Sequence, residues 1–226
     1  MAGSLTPREG VLAGILTATA GFVDGVAFIH LGGYFVSFMS GNSTRAGADI
    51  AQGDPLAWAK AMGLVAFFVA GVVMSSLAVH LRSSRGDRPE PAGPRSTAVW
   101  VSMAFLLLAA LMSLVPVLRV AVPPAVAAGM GAVNGTFTRG GEVTVGLTYM
   151  TGTLVKTGQH LALALTGGNR VVWLRFLALW AAIALGSAIG AFAYLAWGLG
   201  ALWVAVVLLA GIAAMLDLRR HRGAVD

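Results

Sequence analysis

Residues 21–47 read GFVDGVAFIHLGGYFVSFMSGNSTRAG, and residues 131–158 read GAVNGTFTRGGEVTVGLTYMTGTLVKTG. Gly21-x-Val23-Asp24-Gly25 matches Gly131-x-Val133-Asn134-Gly135, and Met39-Ser40-Gly41-Asn42 matches Met150-Thr151-Gly152-Thr153. Arg45-x-Gly47 then matches Lys156-x-Gly158, the offset having passed from 110 to 111 residues along the unit. Two long apolar runs follow each unit, so the chain reads as broken element, span, span, twice over. Repeat one covers 9–118 and repeat two 120–218. An odd number of net crossings per repeat inverts one half against the other. Inverted repeats with discontinuous helices are a transporter architecture, with the site near the midplane where the breaks meet. The alternative is that small residues at these spacings only let helices pack closely. That accounts for the glycines better than for the shared Asp/Asn and Arg/Lys positions, because packing has no need of ionisable groups.

Composition sets the solvent. The 226 residues are 58% hydrophobic and 11% charged, with 30 glycines and no cysteine, and the mean hydropathy is +0.82. A soluble domain is about 45–50% apolar and about 25% charged. So few charged side chains cannot cover a 23.1 kDa globule in water. The absence of cysteine excludes disulfides, thiolate metal sites and cysteine nucleophiles. The formal charge of +6 does not point to nucleic acid. The basic groups sit in gaps between apolar runs and are not interleaved with stacking aromatics. The expected fold class is all-α: a polytopic helical membrane protein, one transmembrane domain over 1–226.

The clearest spans are about 56–81, 97–118, 171–196 and 199–217, each long enough to cross ~30 Å of hydrocarbon. Glu9 to Leu31 is apolar enough to cross but carries Asp24, and after Gly32-Gly33 the chain turns short and polar. The stretch 121–166 repeats this layout, with Asn134 and a Gly140-Gly141 break. Whether 35–53 and 143–166 fully span is open from sequence. The basic segments arbitrate. Arg82, Arg85, Arg88 and Arg95 fall in the 82–96 loop, and Arg219, Arg220 and Arg222 in the tail. Short positive loops stay cytoplasmic. Eight full crossings would put these segments on opposite faces, whereas one net crossing per broken pair puts both inside. Six net crossings with two broken or re-entrant elements, and both termini cytoplasmic, are therefore expected. Arg8, the run VLAGILTATA and the A-x-A at Ala18–Ala20 have the general form of a signal peptide, but the repeated unit runs across the implied cleavage point.

An ionisable group inside a span is costly and faces a partner or a water-filled cavity. Asp24, with Phe22, Val23, Val26 and Phe28 around it, is the sharpest case. Desolvation suits it to proton or cation coupling, unless Arg45 pairs with it and holds it ionised. Asn134 in the second unit makes the halves chemically unequal. Ser40, Gly41 and Asn42, with Thr151, Gly152 and Thr153, supply hydroxyls, an amide and a freed backbone. Arg45 and Lys156 would grip an anionic group or balance charge, with snorkelling as the alternative for Lys156. His30, Arg139 and Glu142 flank the Gly-Gly breaks as gate candidates. No catalytic constellation can be read, so no enzyme is expected. His30, His80, His160 and His221 lack metal-ligand spacing, and neither a metal nor another cofactor is expected. Gly186-xxx-Gly190 reads as a packing motif. The N-x-[ST] matches at Asn42 and Asn134 lie at membrane depth, which argues against glycosylation.

The run AGFVDGVAFIHLGGYFVSFMSGNSTRAG resembles the YoaK-type family of bacterial inner-membrane proteins, grouped under a domain of unknown function. The resemblance is strongest over 20–52 and is supported by YMTGTLVKTGQHLA at 149–162 and by the basic loop. It implies about six spans in a bacterial cytoplasmic (inner) membrane and little about substrate. The expected function is a small secondary transporter or facilitator for a small polar or ionic solute, proton-coupled through Asp24. The competing expectation is a non-transporting scaffold or complex subunit whose polar groups lock helices together. The lipid bilayer is the expected partner, and a homodimer is an open alternative.

Overall fold

The structure, a computed structural model, describes residues 6–84, 93–139 and 142–222. Helix α1 runs Pro7–Leu31. Thr6 and Glu9 form a reciprocal capping box with Pro7 at the first helical position, and Gly32 stops the helix at φ 68°. A left-handed cap of this kind is glycine's usual station. Next come α2 at Met39–Ala51, α3 at Pro55–Ser84 and α4 at Ser96–Ser113. The expected span 97–118 ends early as a helix because Pro116 forces Val115 into extended backbone (φ −106°, ψ 113°). A 3-10 turn over Pro116–Ala121 leads into α5, Val122–Val133, which tightens into one further 3-10 turn at Asn134–Phe137.

No periodicity in the sequence marks the next element. Thr138–Arg139 and Glu142–Val143 pair as a short antiparallel hairpin, Arg139 opposite Glu142. The Gly140-Gly141 break between them lies outside the described residues, as do Arg85 and Arg88. Helices α6 (Met150–Leu165), α7 (Val172–Trp197) and α8 (Leu202–Arg222) complete the chain. Gly198, at φ 55° and ψ −139°, breaks α7 from α8.

Five stretches are long and apolar enough to cross a membrane: Pro7–Leu31, Pro55–Arg82, Ser96–Ser113, Pro116–Phe137 and the 49 residues Val172–Arg220, which contain the Gly198 break. The protein is an all-α polytopic membrane protein. Burial ranks these stretches by position. The α1 window is 72% buried against 22% for α3, so α1 is central and α3 peripheral, and outward apolar side chains such as Phe192 and Leu195 suit a hydrocarbon solvent.

Helix α1 packs on α7, α5 on α3 and α4, and α4 also on α8, while α2 lies on α3 and α6 on α7. The closest approaches are backbone to backbone. A Cβ on Gly186 would lie 2.1 Å from the Ala18 carbonyl oxygen, and one on Gly21 2.2 Å from that of Ile183. The α5–α3 crossing is built the same way: a Cβ on Gly71 would meet the Ala128 oxygen at 1.9 Å, and one on Gly131 the Phe68 oxygen at 2.0 Å. Ala18 and Gly21 precede Ala128 and Gly131 by 110 residues, and Phe68 and Gly71 precede Ile183 and Gly186 by 115. A Cβ on Gly190 would meet the Phe22 oxygen at 2.0 Å, so Gly186-xxx-Gly190 is a packing motif in fact.

These contacts predict a sharp contrast between glycines. Gly186→Ala or Gly131→Ala must push two helix backbones apart, and overpacking of this kind costs about 1–3 kcal/mol or more. Gly14→Ala, in open space on α1, should be neutral or stabilising by up to about 1 kcal/mol from helix propensity. Thermal unfolding in detergent compares them; equal effects at Gly14 and Gly186 would refute the close-packing account.

Candidate functional site

After Gly32 and Gly33, at φ 68° and 98°, the chain doubles back along α1 until it meets Asp24, seven residues before Leu31. Seven residues of helix are about 10 Å of rise. The Val36 and Ser37 backbone N–H groups both donate to Asp24 Oδ1 at 2.8 Å, and the Ser37 hydroxyl donates to Oδ2. Both carboxylate oxygens are engaged by this one segment. Asp24, Val36 and Ser37 are all buried, so an unmet donor here would cost the full desolvation of its group.

Asn42 completes the fold-back. Its Nδ2 donates to the Phe35 carbonyl at 2.7 Å, and its Oδ1 accepts from the Phe35 N–H at 2.9 Å. The side chain thus mimics a strand partner and ties the extended segment to the first turn of α2. Phe38, which precedes α2, gives no side-chain cap, and its ring fills the space beside Gly41, where a Cβ would lie 2.5 Å away. Ser40 is exposed on the outer face. Ser43 and Thr44 beside it donate to the Met39 and Ser40 carbonyls at 2.9 and 3.1 Å.

Arg45 does not reach Asp24. Its Nε lies 3.6 Å from Asp49 Oδ1, and its guanidinium carbon lies 4.5 Å from the Tyr34 ring centroid. Tyr34 donates its phenol hydrogen to Asp49 Oδ2 at 3.0 Å. Lys60 Nζ sits 4.3 Å from the same ring centroid and donates to the Leu31 carbonyl at 2.8 Å. The cations therefore pin α2 and α3 to the end of α1 through one aromatic ring. With the Arg45 side chain 44% exposed, the ion pair itself adds little; the geometry it fixes matters more.

The second group is related but weaker. Asn134 Nδ2 donates to the Met130 carbonyl at 3.0 Å, and its Oδ1 accepts from the Thr148 hydroxyl at 3.4 Å. Ser37 and Thr148 are 111 residues apart, the offset of the repeat, so the hydroxyl partner recurs with the Asp/Asn position. Before α6 the backbone largely satisfies itself: the Thr144 N–H and hydroxyl both donate to the Phe137 carbonyl, at 2.8 and 3.0 Å. Thr151 is exposed, Gly152 has open space beside it, and Thr153 donates to the Tyr149 carbonyl at 3.3 Å. Lys156 Nζ lies 5.8 Å from the Phe176 ring centroid, and His160 stacks on that ring at 5.2 Å.

Among the gate candidates, His30 Nδ1 lies 3.0 Å from the Tyr194 hydroxyl on α7, and Arg139 and Glu142 face each other across the hairpin. Among the described residues, no hydrogen bond, ion pair or ring contact joins Asp24, Asn42 or Arg45 to Asn134, Thr153 or Lys156. A polar bridge between halves comes from elsewhere, as Thr17 on α1 donates to the Leu147 carbonyl at 3.3 Å. Sequence reading missed Tyr34, Ser37, Asp49, Lys60 and Thr148. Hydroxyls at 37 and 148 sat in register all along, and Arg45 and Asp49 stood at i,i+4.

Residues 12–215 match the family model described as Protein of unknown function (DUF1275). The chain belongs to the DUF1275 family. Over 215 residues it is 31% identical to the UPF0700 transmembrane protein RA0705 of Rhizobium meliloti (strain 1021), covering 92% of this chain and 87% of that one. No solved structure matches it. The resemblance to the YoaK-type family carried by the SGN-x-T-R run is borne out, and the multi-pass membrane character is shared with this DUF1275 relative.

The geometry separates two roles for Asp24. Asp24→Asn keeps an oxygen for the Val36 and Ser37 amides, and its NH2 can donate to the Ser37 hydroxyl. Its unfolding temperature should stay near wild type. Asp24→Leu leaves three buried donors unmet, at about 1–3 kcal/mol for each, and should lower the detergent unfolding temperature strongly. Equal destabilisation by both would show that charge, and not hydrogen bonding, holds the segment.

Proposed function

We propose that the protein is a small secondary transporter or facilitator for a small polar or ionic solute. Two re-entrant elements line its path, α2 with the segment before it and α6 with the segment before it. The observation that carries this reading is the exposure of Ser40, Ser43, Thr44 and Thr151 on helices that begin beside membrane-depth Asp24 and Asn134. Hydroxyls are costly against hydrocarbon and at home against water. Ser43, Thr44 and Thr153 donate their own hydrogens to carbonyls one turn back. Oxygen lone pairs are then what these faces offer, which suits a solute rich in hydrogen-bond donors.

The inverted repeat belongs to the proposal. Its support is the matched pair of glycine crossings, α1 on α7 and α5 on α3, with the same offsets in both partners. Six net crossings follow, the Val172–Arg220 stretch supplying two, because 49 residues at 1.5 Å each exceed two bilayer thicknesses of ~30 Å. Both termini then face the cytoplasm of a bacterial inner membrane. A second copy of the chain would be one way to enclose the hydroxyl faces. Asp24, clamped by the Val36 and Ser37 donors, holds the first re-entrant segment, and coupling through it requires that segment to move.

The competing reading is a scaffold or complex subunit. It is favoured by the completeness of the Asp24 and Asn42 hydrogen bonding, which a purely structural role would also need. Flux in liposomes separates the two. The transport reading expects solute uptake by wild type, and Asp24→Asn uptake that no longer varies with pH if Asp24 carries the coupled proton. It also expects uptake lowered by roughly ten-fold when Ser40 and Thr151 are replaced by Val, each lost hydrogen bond being worth about 1 kcal/mol. No flux across a broad solute panel, with both proteins folded, favours the scaffold. A periplasmic reporter signal at the C-terminus would overturn the topology.

A further inference from the structure

Away from the two breaks, three helix ends converge. They are the last turn of α3 with Arg82, the start of α4 with Arg95 and Ser96, and the last turns of α8 with Asp217 and Arg220. Asp217 is fully engaged by neutral donors, the Ser96 hydroxyl at 2.5 Å on Oδ1 and the Trp100 indole N–H at 2.8 Å on Oδ2. Arg220 Nη2 donates to the Pro94 carbonyl at 2.9 Å. The Arg220 guanidinium lies within electrostatic reach of Asp217, Arg82 and Arg95, and Arg82 also acts on Asp217. Arg95 is 4% exposed.

Three guanidiniums therefore share one carboxylate whose oxygens already have other partners. The connecting segment does not correct the balance, since Arg85 and Arg88 are offset by Asp87 and Glu90. Like charges gathered at a half-buried helix junction repel, and an anion placed among them relieves this. A guanidinium fork matches phosphate oxygens in a way a carboxylate-bound ammonium does not. Trp100 beside the cluster is the residue type that sits at a membrane–water boundary, where basic clusters between spans take anionic head groups.

We infer that Arg82, Arg95 and Arg220 form a binding site for a phosphate group, that of an anionic lipid head group or of a soluble phosphate ester. The site lies apart from the two breaks and does not depend on the transport reading.

Native mass spectrometry of the full chain, purified with phosphatidylglycerol and phosphatidylcholine in equal amounts, tests it. The expected result is preferential retention of phosphatidylglycerol, falling about five-fold for each guanidinium removed in Arg82→Gln and Arg220→Gln. Arg170→Gln and Arg175→Gln, at other basic positions, should leave retention unchanged. In a second arm, millimolar inorganic phosphate is added to lipid-free protein in detergent. A rise in unfolding temperature that Arg82→Gln abolishes supports the site with a soluble phosphate as its ligand. Arg82 is exposed, so that variant serves even where Arg220→Gln fails to fold. Equal retention of both lipids together with no phosphate shift, or an Arg82→Gln protein that behaves as wild type in both arms, overturns the proposal.

Discussion

In a bilayer, no water is available to satisfy a backbone that leaves the helix, and every N–H and C=O must find a partner within the protein. The Asp24 carboxylate answers that constraint for Val36 and Ser37, and the Asn42 amide answers it for Phe35. The second half meets the same constraint differently. There the 3-10 turn after α5 hands over to a hairpin, and hairpin and adjoining turn satisfy much of their own backbone. A neutral Asn134 with one long contact to Thr148 then suffices. The difference between aspartate and asparagine follows from how many orphan amides each has to hold, before any solute enters the argument.

Once the fold-backs are pinned, the glycines decide what can lie beside them. Helix α1 approaches α7 so closely that Ala18 and Phe22 carbonyls occupy the space of side chains on Gly186 and Gly190. Approach at this distance maximises van der Waals contact, which is the available driving force where lipid tails are as apolar as leucine. It also crosses the halves over, α1 resting on α7 and α5 on α3. The first helix of each half is completed by the other half, so neither half has a core of its own. That explains why α1, with an aspartate in it, is nevertheless among the most buried elements.

Much of this was legible in the order of residues. Apolar run lengths marked α3, α4, α7 and α8 to within a few residues except at Pro116, where a proline outweighed hydropathy. Asp24 stood out because a carboxylate among Phe22, Val23 and Val26 has no bland explanation. Its partner was harder to see. Arg45 offered the opposite charge, yet Asp49 is one turn away on the same helix, and helix geometry favours i,i+4 pairs over a partner across a glycine break. The amides that Asp24 holds carry no side-chain signature at all. The hairpin at 138–143 was hidden for a related reason: two-residue strands are too short to show a period of two.

The placement of the cations bears on what the protein can handle. Arg45 and Lys60 bracket Tyr34 near the end of α1, and Lys156 reaches toward Phe176. Each is held by a ring or a carbonyl, and none stands beside Asp24. The arrangement argues against an anion gripped by two cations at the breaks, because aromatic faces already take up their charge and fix their positions. What the two half-helices leave outward are hydroxyl oxygens whose hydrogens are committed inward, one turn back along the helix. The positive groups organise the walls, and the surface a solute would meet is one of acceptors, a chemistry opposite to that suggested by the charges alone.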